Sequence, residues 1–109
     1  MEISHMHVQV VTFGLQGISE EEYHQGCREE TGVFADLPGL IAKIWLRDPA
    51  AGQYGAVYLW KSREDYEAYV SGEIFRSIQE DPTLSGVTSR DFDVFHDLTS
   101  VTQPGLAPV

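Results

Sequence analysis

Cysteine, basic residues and long apolar runs are all scarce in this sequence. Cys27 is the single cysteine, so an internal disulfide is excluded. Lysine and arginine number 7 against 17 acidic residues, which gives a net charge of -10. Phosphate backbones and anionic membrane surfaces repel such a chain, so we expect neither nucleic acid nor membrane as a partner.

The hydropathy pattern lacks two further signals. No segment approaches the ~18 consecutive apolar residues that a membrane span needs. The N-terminus has no basic region followed by an apolar run, as a secretory signal would. We therefore expect a soluble, cytoplasmic protein.

The length of 109 residues and the 42% hydrophobic content are typical of one globular domain. We predict a single domain over residues 1–109. The letters SHM at Ser4 to Met6 resemble a vector-derived remnant, so residues 1–6 are expected to be a tag or disordered. Residues 98–109 have a loose composition, which favours a tail or an arm that crosses onto a partner.

Turn signals and hydrophobic periodicity divide the chain into six main elements. Ser19 and Glu22 form a capping-box pattern that predicts the start of the first helix. The predicted elements are a strand at 7–13, a helix after Ser19, strands at 40–48 and 54–61, a second helical element made of the segments 62–70 and 72–82, and a last strand at 87–98.

The order β-α-β-β-α-β predicts an α+β, ferredoxin-like fold with an antiparallel sheet. Helices would cover one face of the sheet and leave the other face bare. Both faces of the strands carry large apolar side chains, so a second copy is expected to cover the bare face and form a dimeric α+β barrel. In this topology we expect the first and last strands not to pair directly, which would keep His7 and His96 apart.

Three segments carry a resemblance to a known family. They read PGLIAKIWLRD from Pro38, YGAVYLWKSREDYEAYV from Tyr54 and DFDVF from Asp91. The sequence resembles the YdhR-like monooxygenase family, within the dimeric α+β barrel group that includes antibiotic-biosynthesis monooxygenases. The resemblance implies a homodimer. In the wider group it implies oxidation of phenols or anthrones with dioxygen and no cofactor, or else cyclase, decarboxylase, heme-degrading or purely binding roles.

Aromatic side chains dominate the candidate binding site. Alternation along the second strand places Lys43 and Trp45 on one face, and Leu40 with Ala42 on the other. Aromatic walls with a few polar groups suit an aromatic or polyketide-like substrate. Core or interface packing is the alternative. The predicted substrate-binding residues are Trp45, Tyr54, Tyr58, Trp60, Phe92 and Arg90.

Three side chains are candidate catalytic bases. Lys43 lies inside an apolar strand, where burial would lower its pKa and make it a base. His24 and His7 are candidate proton shuttles, since imidazole titrates near neutral pH. Each has a structural alternative, such as an ion pair or a place in the core. No cysteine and histidine spacing matches a zinc motif, so no metal is expected.

These observations favour a cofactor-independent monooxygenase that acts on an aromatic or polyketide-like small molecule, with no cofactor held by the protein. A non-oxidative cyclase or isomerase of the same fold is one alternative, because deprotonation beside a carbonyl begins all these reactions. A small-molecule-binding dimer without turnover is another. A heme-handling relative would need a histidine facing an open cavity.

Overall fold

The computed structural model describes residues 5–106 of the chain. Most of the predicted N-terminal tag, and the last residues of the predicted tail, lie outside this range. Within it the elements are β1 (His7–Leu15), α1 (Glu20–Ala35), β2 (Leu40–Asp48), β3 (Gln53–Trp60), α2 (Arg63–Val70), α3 (Glu73–Glu80), β4 (Leu84–Asp93) and α4 (His96–Thr102), followed by a 3-10 turn at Pro104–Leu106.

The helix starts follow from local chemistry. Ser19 Oγ accepts a hydrogen bond from the Glu22 backbone N–H at 3.1 Å, and the Glu22 carboxylate accepts one from the Ser19 N–H at 2.9 Å. This capping box is the one predicted from the sequence, and it satisfies two N–H groups that the helix leaves unpaired. Ser62 caps α2 in the same way by accepting from the Asp65 N–H.

The four strands form one antiparallel sheet in the order β2-β3-β1-β4. The prediction of a ferredoxin-like α+β fold is confirmed. The expected separation of the first and last strands is wrong, because β1 pairs with β4 and His7 lies opposite Asp93. Each helical crossover skips one strand, which leaves β1 between β3 and β4.

The last strand is displaced from its predicted range. β4 begins at Leu84, because Leu84 pairs with Leu15 at the far end of β1. It ends at Asp93, which pairs with His7, the first residue of β1. His96 therefore begins α4 and does not belong to the sheet.

An irregularity in β2 changes which residues face the helices. The pairing with β3 shifts between Leu40 and Ala42, so Leu40 lies opposite Trp60 while Lys43 lies opposite Tyr58. Cross-strand partners share a face, so Leu40 joins Lys43 on the helix side. The expectation that Leu40 shares a face with Ala42 is wrong for this reason, and Leu40 packs against the core.

The core lies between the sheet and the helices. β1 contributes buried residues at every second position, and β3 contributes a row of buried aromatics that faces them. The buried hydrophobic cluster consists of Val11, Phe13, Phe34, Tyr54, Ala56, Tyr58, Trp60, Tyr69 and Phe75. The opposite face of the sheet is apolar and partly exposed, with Ile44 60% exposed.

Close backbone packing between β1 and β3 depends on Gly55. A Cβ at this position would lie 1.9 Å from the Val11 carbonyl oxygen and 2.8 Å from its carbon. Both neighbouring atoms are backbone, so the strands would have to separate to admit a side chain.

We predict that Gly55→Ala lowers the free energy of unfolding by more than ~2 kcal/mol, as expected of a steric conflict with fixed backbone. Gly32→Ala is the matched control, because a Cβ there meets nothing within 4 Å on α1. It should raise stability by about 0.5–1 kcal/mol through helix propensity. Urea denaturation measures both, and equal effects of the two substitutions would contradict the argument.

Candidate functional site

An inner cavity of about 210 Å³ lies between the sheet and helices α1 and α3. Its sheet side is formed by alternate residues of β1, β2 and β3, and its helix side by residues spaced along one face of α1. Its lining includes Tyr23, Cys27, Phe34, Lys43, Trp45, Tyr58 and the acids Glu22, Glu30 and Asp81. The wall is therefore largely aromatic, with one amine, one thiol and three carboxylates.

Lys43 reaches into an aromatic cage in this cavity. Its Nζ lies 3.2 Å from the ring centroid of Phe34, 3.6 Å from that of Trp45 and 4.8 Å from that of Tyr58. The Phe34 and Trp45 rings meet edge to face at 5.5 Å. Among the described residues, no carboxylate forms an ion pair with this amine.

Burial lowers the pKa of Lys43 to about 7, while Cys27 and Glu30 oppose the change. The ring faces attract the ammonium form, which by itself would raise the pKa. Because the pKa is lowered instead, the loss of hydration is the dominant effect. Near neutral pH a substantial fraction of Lys43 is therefore a neutral amine, which can accept a proton.

The phenol and thiol groups around Lys43 have raised pKa values. Burial raises the pKa of Tyr23, of Cys27 and of Tyr58 above their ordinary values. The Tyr58 hydroxyl lies 3.0 Å from that of Tyr69, so the two phenols share a buried hydrogen bond. These groups remain protonated, which makes them hydrogen-bond donors. The groups of the cavity lining that can accept a proton are the Lys43 amine and the carboxylates of Glu22, Glu30 and Asp81.

An outer groove of about 680 Å³ adjoins the cavity along α1 and the edge strand β2. It shares Tyr23, Cys27 and Trp45 with the inner cavity. Its other lining residues are Glu20, His24, Arg28, Thr31, Leu46, Arg47 and Tyr54. The two spaces thus lie on either side of a common wall.

Five of the predicted site residues line these two spaces. Lys43, Trp45 and Tyr58 line the cavity, while His24 and Tyr54 line the groove. The Tyr54 hydroxyl donates to Glu20 Oε1 at 2.8 Å, so it is bound to a neighbour on α1. His24 is exposed on α1 and does not line the inner cavity.

His7 and Trp60 lie elsewhere, in a buried polar network beneath α2. His7 is 1% exposed, and its Nε2 lies 2.7 Å from Asp91 Oδ2. The Trp60 Nε1–H donates to Gln9 Oε1 at 3.1 Å. Neither residue lines the cavity or the groove, because hydrogen bonds to the strands hold both inside the packed core.

Phe92 and Arg90 were predicted to bind substrate with the hairpin aromatics, but they lie on the other face of the sheet. Arg90 pairs with Val10 and Phe92 with Val8, whereas the cavity is lined by the opposite set of positions. The Arg90 guanidinium lies 5.1 Å from the Phe92 ring centroid. Alternation along β4 therefore separates both residues from the site.

Several site residues on α1 were not predicted. Tyr23, Cys27, Glu30 and Phe34 follow a helical spacing, which was the signal that they share one face. No pattern in the sequence marked Arg28 as a site residue.

Among residues 5–106, no group of three or more histidine, cysteine or acidic residues has the arrangement of a metal site. Within the same range, no helix is both long and apolar enough to span a membrane.

The inner cavity lies between the helices and one face of a ferredoxin-like sheet. Residues 8–104 match the family model described as "Putative mono-oxygenase ydhR". The match covers most of the chain, and the protein belongs to this family. A comparison with functionally curated proteins gave no match.

Solved structures with the same fold include proteins with different activities. SnoaB of Streptomyces nogalater, described as a cofactor-independent oxygenase, is 18% identical, with a TM-score of 0.66 over 83% of this chain and 93% of that one. The heme-degrading MhuD of Mycobacterium tuberculosis is also 18% identical, with a TM-score of 0.66 over 82% and 95%. A "putative antibiotic biosynthesis monooxygenase" from Caulobacter crescentus is 20% identical, with a TM-score of 0.66 over 84% and 92%. At these identities the likeness shows the fold alone.

The lowered pKa of Lys43 predicts a specific dependence of stability on pH. The folded pKa of about 7 lies below the ordinary lysine value of 10.5, so the unfolded chain binds more protons between these values. The contribution of Lys43 to the free energy of unfolding therefore increases as the pH rises above about 7, by ~2 kcal/mol between pH 7 and pH 9.

Lys43→Met should remove this rise. Urea denaturation of the variant and the unsubstituted protein, at pH 6 and at pH 9, measures it. The variant should be the more stable at pH 6, and its advantage should shrink at pH 9. Lys61→Met, which changes the other lysine of the chain at an exposed position, should leave the pH profile unchanged. A pH-independent difference between Lys43→Met and the unsubstituted protein would show that Lys43 is not a desolvated amine.

Proposed function

We propose that this protein is a homodimeric oxygenase that oxidises an electron-rich aromatic small molecule with dioxygen, without a resident cofactor. The observation that carries the proposal is the Lys43 amine, which lies among three aromatic rings in the inner cavity and has a pKa of about 7. Membership of the mono-oxygenase family and the shared fold of SnoaB support the reaction class.

The cavity suits a small planar substrate. Its volume of about 210 Å³ is below the ~300–1,000 Å³ usual for drug-sized ligands, so a small aromatic molecule would fill it. Phe34, Trp45 and Tyr58 present ring surfaces against which such a molecule can pack. The raised pKa values of Tyr23 and Tyr58 keep their hydroxyls protonated, so they can donate to an oxygen that gains negative charge.

The chemistry begins with Lys43 as a general base. Its neutral amine removes a proton from an acidic C–H or O–H of the substrate and leaves a delocalised anion. The anion transfers one electron to dioxygen, and the resulting radical and superoxide combine as a peroxide. The Lys43 ammonium returns the proton, and loss of water leaves a carbonyl. For a methylene substrate the balance is CH₂ + O₂ → C=O + H₂O.

Anthrone is a direct probe of this proposal, because its methylene is acidified by the ring carbonyl and its product is anthraquinone. We expect protein-dependent oxygen consumption above the rate of autoxidation, rising with pH through about 7 as Lys43 loses its proton. Lys43→Met should reduce the rate by ~100-fold or more, the usual contribution of a general base. Lys61→Met, the matched control, should retain it.

The outcomes separate the candidate functions. Equal rates for Lys43→Met and the unsubstituted protein would overturn the role of the lysine. Lysine-dependent conversion of a carbonyl substrate without oxygen would instead support a cyclase or isomerase. A Soret or flavin absorbance band in the purified protein would overturn cofactor independence and favour a heme-handling or flavin-dependent role.

The dimer is proposed from the uncovered face of the sheet. Strand pairing places one set of apolar side chains on this face: Val8, Val10, Ala42, Ile44, Leu46, Val57, Leu59 and Phe92. Ile44 is 60% exposed and Phe92 44% exposed in the single chain. A continuous apolar surface of this kind is usually covered, and a second copy packed face to face would cover it symmetrically.

We predict that Ile44→Glu converts the dimer to a monomer, because it places a charge among the apolar side chains of this face, at a residue that is 60% exposed in the single chain. Light scattering after size exclusion measures the mass. Val33→Glu is the matched control, since Val33 is 53% exposed but lies on α1 in the helix layer. A monomeric unsubstituted protein, or a dimer that survives Ile44→Glu, would contradict this interface.

A further inference from the structure

We propose that the outer groove binds the carboxylate of an aromatic acid, and that Arg28 is its principal contact. The inference deepens the proposed function and rests on it for the identity of the reacting ring. It extends that function by assigning a second, anionic group to the substrate, held outside the cavity in which the ring reacts.

Arg28 is a cation without an acidic partner. On α1 the residues three and four positions away are His24, Gln25, Thr31 and Gly32, none of which is acidic. Among the described residues, no carboxylate forms an ion pair with its guanidinium. Arg76 and Arg90 also form no ion pair among the described residues, but Arg28 differs from them because it lines the groove.

Glu20, the acid that lines the groove, is already bound. Its Oε2 accepts hydrogen bonds from Arg47 Nε at 3.0 Å and Nη2 at 2.6 Å, and its Oε1 accepts one from the Tyr54 hydroxyl at 2.8 Å. These bonds, with that from Tyr54 the strongest, lower the pKa of Glu20. The charges of Glu20 and Arg47 cancel, so the positive charge of Arg28 remains in the lining of the groove.

The groove is therefore a place where an anion can approach this protein. The chain carries a net charge of -10, which repels anions from most of its surface. A guanidinium presents N–H groups in a fork that matches both oxygens of a carboxylate. His24 lines the same groove and offers a further hydrogen-bonding group.

The shared wall connects this anion site to the ring site. Trp45 lines both spaces and is 36% exposed, so one part of its indole faces the cavity and another the groove. Tyr23 and Cys27 line both as well. A ligand with its ring against Trp45 can thus extend a carboxylate along α1 towards Arg28. An aromatic acid fits this arrangement better than an uncharged aromatic.

Calorimetric titration with 1-naphthoate and with the neutral 1-naphthamide tests the proposal. At pH 8 and low salt we expect naphthoate to bind the unsubstituted protein more tightly than naphthamide does. Arg28→Gln should weaken naphthoate binding by ~10-fold, the value of one charge-assisted hydrogen bond, and leave naphthamide binding unchanged. Arg63→Gln, at an exposed arginine of α2 paired with Glu67, is the matched control and should bind naphthoate normally.

Lys43→Met distinguishes this site from the inner cavity. Naphthoate binding that survives Lys43→Met but weakens in Arg28→Gln supports the groove site, even if anthrone is not oxidised. Binding that weakens in Lys43→Met and not in Arg28→Gln would place the anion at the lysine and overturn the proposal. Equal affinities for naphthoate and naphthamide would also overturn it, whatever the result with anthrone.

Discussion

The packing of Phe34 against the aromatic row of β3 determines where the helices lie on the sheet. Phe34 is buried at the end of α1, with ring centroids 6.3 Å from Tyr58 and 6.4 Å from Tyr69. Tyr58 and Trp60 stack at 5.9 Å, and Tyr69 packs on Trp60 at 4.9 Å. Large rings bury much apolar area at low entropic cost, so this cluster attaches α1 and α2 at one end of the sheet. The inner cavity borders this cluster, because Phe34 and Tyr58 line it together with residues from earlier turns of α1.

The same aromatic cluster also lowers the pKa of Lys43. A lysine on β2 opposite Tyr58 must extend beneath Phe34, where it loses hydration. No described carboxylate forms an ion pair with the amine, and Glu30 opposes the loss only in part, so burial favours the neutral form. The residues that hold the fold together and those that activate the amine are thus partly the same. Replacing Phe34 or Tyr58 would change stability and the pKa of Lys43 together.

Beneath α2 the buried polar side chains form hydrogen bonds with one another and do not line a cavity. Gln9 is fully buried, yet its side chain accepts from Trp60 and donates to Ser89. Asp91 accepts from the Tyr66 hydroxyl at 2.9 Å as well as contacting His7, and these bonds lower its pKa. His7 Nδ1 lies 3.1 Å from Asp93 Oδ1 but without hydrogen-bond geometry. In this network the His7 imidazole is buried and contacts Asp91, away from both the cavity and the groove.

The sequence by itself determined the element order, the capping box at Ser19 and the apolar character of both faces of the strands, because these depend on local periodicity and on neighbouring residues. It also marked Lys43, Trp45 and Tyr58 as candidates, because a lysine and aromatics in a strand are unusual. Only the tertiary structure decided which face is covered. The β2 irregularity moved Leu40 to the core, and the pairing of β1 with β4 placed Phe92 and Arg90 opposite the cavity. Arg28 likewise became a candidate only once the groove was formed, because the absence of an ion-pair partner is a property of three-dimensional neighbours and not of spacing along the chain.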